Sequence, residues 1–170
     1  MKPQHLLAEQ IERIADSMAY FIETTSPDVL AWNPEMPGSA GSRSILQMVA
    51  ECVAVNQRFT AKLSDKDSET IQEPGFESGE EAVKQILDSG RTFAAVIRTL
   101  PDEALSSTYL HKGTLISGTY LVVGAYRNMA YHCGQINLIQ MLKGDPHFHR
   151  PPSWDGPARP YQGSKPTEHF

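Results

Sequence analysis

Apolar residues recur at alternating steps of four and three through Leu7, Ile11, Ile14, Met18 and Phe21, with Ile22 beside the last. That spacing winds them onto one stripe of an α-helix. The pattern stops before Pro27, TTSPD has turn composition, and AWNPEMPGSAGS continues as loop until Ser42 or Ser44, either of which can cap the next helix. A second stripe follows in SILQMVAECVAVNQRF through Ile45, Met48, Cys52, Val55 and Phe59, with Glu51 on its border. Ser78 followed by Glu81 fits a capping box and opens a third, Ala82, Ile86, Phe93, Ile97 and Leu100, weakened in its middle by Ser89 and Gly90 and stopped by Pro101. The stretch from Pro101 to Gly118 is a long connection in which SSTYLH and TLIS can form short extended pieces.

The fourth pattern covers about Thr119 to Leu142. Its interior stripe runs through Leu121, Ala125, Asn128, His132, Gln135, Ile139 and Leu142, with Met129, Cys133 and Ile136 alongside, and Gly144 and Pro146 end it. Four amphipathic helices predict an all-α four-helix bundle over residues 1–145, with a long connection before the fourth helix. Residues 146–170 are a Pro-rich tail that packs partly on the bundle, where Phe148, Trp154 and Tyr161 can pin it.

A chain of 170 residues suffices for one buried core without a staple. Its net charge of -5 supplies no broad basic field, which argues against nucleic acid as a partner. Cys52 and Cys133 sit in apolar patterns and form no CxxC unit, so buried thiols are expected rather than a disulfide or thiolate zinc site. MKPQHLLAEQ lacks the apolar run of a secretory signal, and no stretch reaches the length of a membrane span. A cytoplasmic protein with no membrane partner is the default expectation.

Within the fourth helix, RNMAYHCGQINLIQ places Asn128 and His132 on one face, with Gln135 one step away. His132 can bind a divalent metal through one ring nitrogen while the other is held by a hydrogen bond. Glu51 can approach from the second helix, and Asn128 offers a neutral carbonyl oxygen, which suits a hard ion better than zinc. From the residues by themselves, hydrogen-bonded core polar groups are the plainer reading, with Gln135 and Asn56 as neighbours in the network.

The order of segments, RSILQMVAE in the second helix and YHCGQINLIQMLKGD in the fourth resemble the DinB superfamily, also called DinB/YfiT-like, over roughly Leu7 to Asp145. His132, Gly134 and Gln135 form the HxGQ element that carries most of the resemblance. The family is unrelated to the DNA polymerase of the same name. The resemblance implies a four-helix bundle, often a homodimer, with a divalent metal (nickel, zinc, manganese or magnesium) held by three side chains, usually histidines. It assigns those positions to Glu51, seven residues after Ser44, and to Asn128 and His132, and the residues themselves offer Asn56 and Gln135 as supporting neighbours. It also implies metal-dependent hydrolase or thiol-dependent transferase chemistry on a small molecule, a maleylpyruvate isomerase being one relative. Only one of the three positions is histidine here, so a non-catalytic ligand-binding or structural dimer with a degenerate site is the alternative.

Further groups carry weaker signals. His147 and His149 stand in the Pro-rich segment, His111 and Lys112 precede Gly113 in a turn, and Arg43 and Arg127 fit an acidic substrate or surface ion pairs. Cys133 points about a third of a turn from His132, so the two do not make a Cys-His nucleophile. The glycines of PGSAGS, PGFESG and KGTLISG lack phosphate-loop context.

Overall fold

The computed structural model describes residues 2–34 and 42–155. Four long helices, α1 (Pro3–Glu23), α3 (Ile45–Leu63), α4 (Gly79–Thr99) and α5 (Gly118–Leu142), form the bundle, with a one-turn α2 (Pro27–Leu30) after the first. The sequence reads that turn as irregular chain. Pro27 pre-sets the backbone angle at its first position, and Val29 and Leu30 are buried, which is what holds so short a helix. The mostly helical fold is the predicted class.

Helix α1 packs on α4 and α5, and α3 packs on the same two, so α1 faces α3, and α4 faces α5, across the diagonals. That arrangement explains the connections. The chain must cross the end of the bundle between α1 and α3 and again between α4 and α5, whereas α3 and α4 are neighbours. The second crossing carries a hairpin, β1 (Thr108–His111) paired antiparallel with β2 (Thr114–Ser117), in register Thr108 to Ser117. Its two-residue turn, Lys112 and Gly113, takes φ of 48° and 76°, the left-handed pair that matches strand twist.

Ile11, Met18, Ile86, Phe93, Leu121, Met129 and Ile136 are fully buried and make one continuous core. Ser89 and Gly90, which interrupt the third apolar stripe, lie inside it. At Gly90 a Cβ would stand 2.7 Å from the Ala15 Cβ, so α1 and α4 meet almost backbone to backbone. Gly90→Val is expected to cost about 1–3 kcal/mol through overpacking, read as a lower urea midpoint at unchanged slope. An unaltered midpoint would contradict so close a helix contact.

The end of the fourth stripe differs from expectation. Leu142 is exposed, and Gln140 takes the buried position, donating Nε2 to Thr25 Oγ1 at 2.9 Å and to the Phe21 carbonyl at 3.3 Å. The Phe21 carbonyl and the Thr25 hydroxyl at the end of α1 favour an amide over a leucine there. In the tail, Trp154 Nε1 donates to Ser17 Oγ at 3.1 Å and its ring packs near Phe148. Tyr161 lies outside the described residues. Among the described residues no helix is long and apolar enough to cross a membrane.

Candidate functional site

Ser44 starts α3 with a reciprocal cap. Its Oγ accepts from the Gln47 backbone N–H at 3.3 Å, while Gln47 Oε1 accepts from the Ser44 N–H at 2.9 Å. Ser117 caps α5 through its side chain, accepting from the Tyr120 N–H at 3.1 Å. These fixed starts set the rotation of both helices. Glu51, two turns into α3, therefore faces Asn128 and His132 on α5.

The structure brings these three side chains together. Asn128 Nδ2 donates to Glu51 Oε1 at 3.3 Å, and His132 Nε2 stands 3.6 Å from Glu51 Oε2. His132 Nδ1 is 2.7 Å from Gln135 Oε1. An amide oxygen accepts, so Nδ1 carries a proton and Nε2 is the ring atom turned toward the carboxylate. The carboxylate also has positive charge beside it. Arg43 supplies it, with Nε at 3.5 Å from Glu51 Oε2 and Nη1 at 2.7 Å from Glu73 Oε2. The Glu73 hydrogen bond raises the Arg43 pKa above its ordinary value against the opposing effect of burial.

Asn56 is not part of this cluster. It is fully buried and points the other way, donating Nδ2 to Ser89 Oγ at 3.3 Å and lying 3.7 Å from Met129 Sδ. At five residues beyond Glu51 it sits well over a quarter-turn round α3, so it turns to α4. Neither tail histidine joins: His149 Nε2 pairs with Asp145 Oδ2 at 2.6 Å, and His147 lies beside it. Glu73, by contrast, belongs to the cluster and is not singled out by the sequence, while Arg43, read there as fitting an acidic substrate or a surface ion pair, pairs with both Glu51 and Glu73. The available signal was the position of Arg43 directly before the cap of α3.

The donor set is short of a metal centre. Glu51 and His132 present suitable atoms, but Asn128 turns its N–H group to Glu51 while its Oδ1 accepts from the Cys52 thiol at 3.2 Å. Among the described residues no three His, Cys, Asp or Glu side chains gather as metal ligands. The thiols are poor nucleophiles as well. Burial pushes Cys133 up to about 12 and raises Cys52 well above its ordinary value.

Asn128 also lines a cleft of about 360 Å³, with Val55, Phe59, Tyr120 and Tyr131 as walls and His111 and Arg127 at its edges. The Arg127 guanidinium lies 5.7 Å from the centre of the Tyr120 ring. His111 packs edge-on to Phe59, its buried Nδ1 has no hydrogen-bond partner among the described residues, and burial, followed by Lys62 and Lys112, lowers its pKa. A larger hollow of about 600 Å³ lies between the α1 end and the α4 start, rimmed by Glu23, Glu77 and Glu80. It touches none of the clustered residues.

The family model of the DinB superfamily matches residues 10–136. A crystal structure of a DinB-like protein from Bacillus cereus ATCC 10987 superposes with a TM-score of 0.60 at 11% identity, covering 77% of this chain and 86% of that one. At that identity the likeness is one of fold. No curated protein matches the chain.

Proposed function

The chain belongs to the DinB superfamily, and from that premise we propose that it is a non-catalytic binder of a small planar anion. One observation carries this reading: Asn128 joins a cluster whose carboxylate is already matched to an open cleft that keeps an arginine against aromatic walls. Glu51 has a donor or cation at each oxygen, so the cluster acts as a rigid floor. Arg127, Tyr120, Tyr131 and Phe59 supply what an aromatic carboxylate needs, a charged donor and flat apolar surface. Hydrolase or thiol-transferase chemistry would need a Lewis acid to activate water or thiol, and this donor set supports one poorly.

Calorimetric titration of tag-free protein with benzoate and with uncharged benzamide tests the reading. Benzoate should bind more tightly, and Arg127→Ala should weaken it by roughly ten- to a hundredfold, since a hydrogen bond to a charged group contributes about 1.5–3 kcal/mol. Equal binding of the two probes, or an indifferent Arg127→Ala, sinks it.

A weakly held nickel, zinc, manganese or magnesium ion is the second reading. It is favoured by the Gln135 contact, which aims His132 Nε2 at Glu51 as in hydrogen-bonded metal imidazoles. One guanidinium, that of Arg43, pairs with the two carboxylates of Glu51 and Glu73. Stoichiometric metal in tag-free protein would put this reading first.

A further inference from the structure

The hollow of about 600 Å³ away from the Glu51 cluster is formed where the end of α1, the short α2, Leu46 of α3 and the start of α4 converge. Its floor is apolar, with Ile22, Leu30, Leu46 and Val83 lining it. Gly79 opens α4 on the same floor. A Cβ there would stand 2.7 Å from Leu30 Cδ1, so glycine at this position is what lets α2 seat its leucine against α4.

Glu23, Glu77 and Glu80 rim the hollow, and among the described residues no Lys, Arg or His does so. Glu9, Glu12, Glu69 and Glu73 each have an Arg or Lys beside them. The three at the rim form no ion pair among the described residues. Glu80 has a reason within the fold, since it faces the positive start of α4. Glu23 has the opposite setting. It is exposed at the end of α1, where the carbonyls are already electronegative and the last turn holds no basic residue. A carboxylate there opposes the helix dipole, and a cation from outside the chain is what would offset it.

We propose that this hollow binds a small organic ammonium ion, with its apolar body on Ile22, Leu30, Leu46 and Val83 and its charged head among Glu23, Glu77 and Glu80. The volume suits a drug-sized ligand, and an apolar floor with a few charged groups at its edge is how such pockets hold one. Three carboxylates exclude an anion. A bare metal ion needs a close cage of oxygens, and among the described residues no three acidic side chains gather as one. Four elements meet at one concave patch instead of leaving a groove along a helix, which fits a compact ligand better than a peptide. The hollow shares no residue with the cleft at Asn128, so the proposal does not depend on what that cleft binds.

Amide NMR of the full chain titrated with phenethylammonium tests it. Signals around Leu30 and from Glu77 to Val83 should shift. Phenethyl alcohol, which lacks the charge, and methylammonium, which lacks the apolar body, should each bind about tenfold more weakly. Glu23→Gln, Glu77→Gln and Glu80→Gln should each weaken the ammonium roughly threefold, and all three together at least about tenfold, as exposed ion pairs do. Glu103→Gln, an exposed carboxylate outside the lining, should not. Equal binding of the ammonium and the alcohol, an unchanged affinity in the triple variant, or shifts confined to other residues overturns the proposal. So does a lysine tripeptide that binds more tightly than phenethylammonium, which would give the hollow to a basic protein segment. Should the triple variant fail to fold, the comparison of ammonium with alcohol on the parent decides.

Discussion

Phe93→Ala should remove about 3–5 kcal/mol of folding free energy, the usual cost of emptying an aromatic site in a close-packed interior. Phe93 has no exposed surface and sits on α4, the helix that bridges α1 and α3. Those two face each other across a diagonal, so α5 is left to join them when α4 loosens. A domain of ordinary stability has about 5–15 kcal/mol in total, and the variant should lie near the edge of folding at physiological temperature. Equilibrium urea unfolding by circular dichroism measures it, with Phe93→Leu retaining most of the stability. A loss below about 1 kcal/mol would show that the core collapses around the void.

Much of the architecture is legible because period and punctuation agree. Leu7 to Phe21, Ile45 to Phe59 and Ala82 to Ile97 repeat at helical spacing, and Ser44, Ser78 and Ser117 are the residues that cap the helices they precede. The hairpin within 108–117 is signalled by β-branched and aromatic residues around a Lys-Gly turn. What escapes the pattern depends on contacts from elsewhere in the chain. Gln140 is buried rather than Leu142 because the end of α1 presents carbonyls there, and Gly90 is a contact rather than a weakness because Ala15 lies opposite.

The candidate site is legible to a lesser degree. Helical spacing puts Asn128, His132 and Gln135 on one side of α5, and the resemblance to the DinB superfamily brings Glu51 to them; the four are within a few ångströms. Nothing local to Glu73 announces that Arg43 bridges it to Glu51, since Glu73 lies in an irregular connection. Asn56 shows the opposite limit. A polar residue near the right place in sequence belongs to the α3–α4 contact, because one further step around the helix changes its neighbour.

The combined replacement Glu51→His and Asn128→His should raise affinity for zinc or nickel by at least about a hundredfold, or 2.7 kcal/mol. It turns the set at 51, 128 and 132 into three imidazoles, and imidazole binds these ions far better than an amide oxygen does. The change is tolerable locally: Arg43 loses Glu51 but keeps Glu73 at 2.7 Å, and Gln135 still holds His132 Nδ1 at 2.7 Å. Cys52 loses the Asn128 oxygen as its acceptor, a modest cost for a thiol. Asn128→His alone should give a smaller gain, because Glu51 then stays engaged by Arg43. Binding needs neutral imidazole, so acidification should weaken it, and added metal should raise the melting temperature of the double variant more than that of the parent. Isothermal titration of tag-free, metal-stripped protein reads the affinity directly. A folded double variant that binds zinc no better than the parent would mean that 3.3 and 3.6 Å contacts around Glu51 describe a hydrogen-bonded floor alone, and that the positions at 51, 128 and 132 do not enclose a point three imidazoles can share.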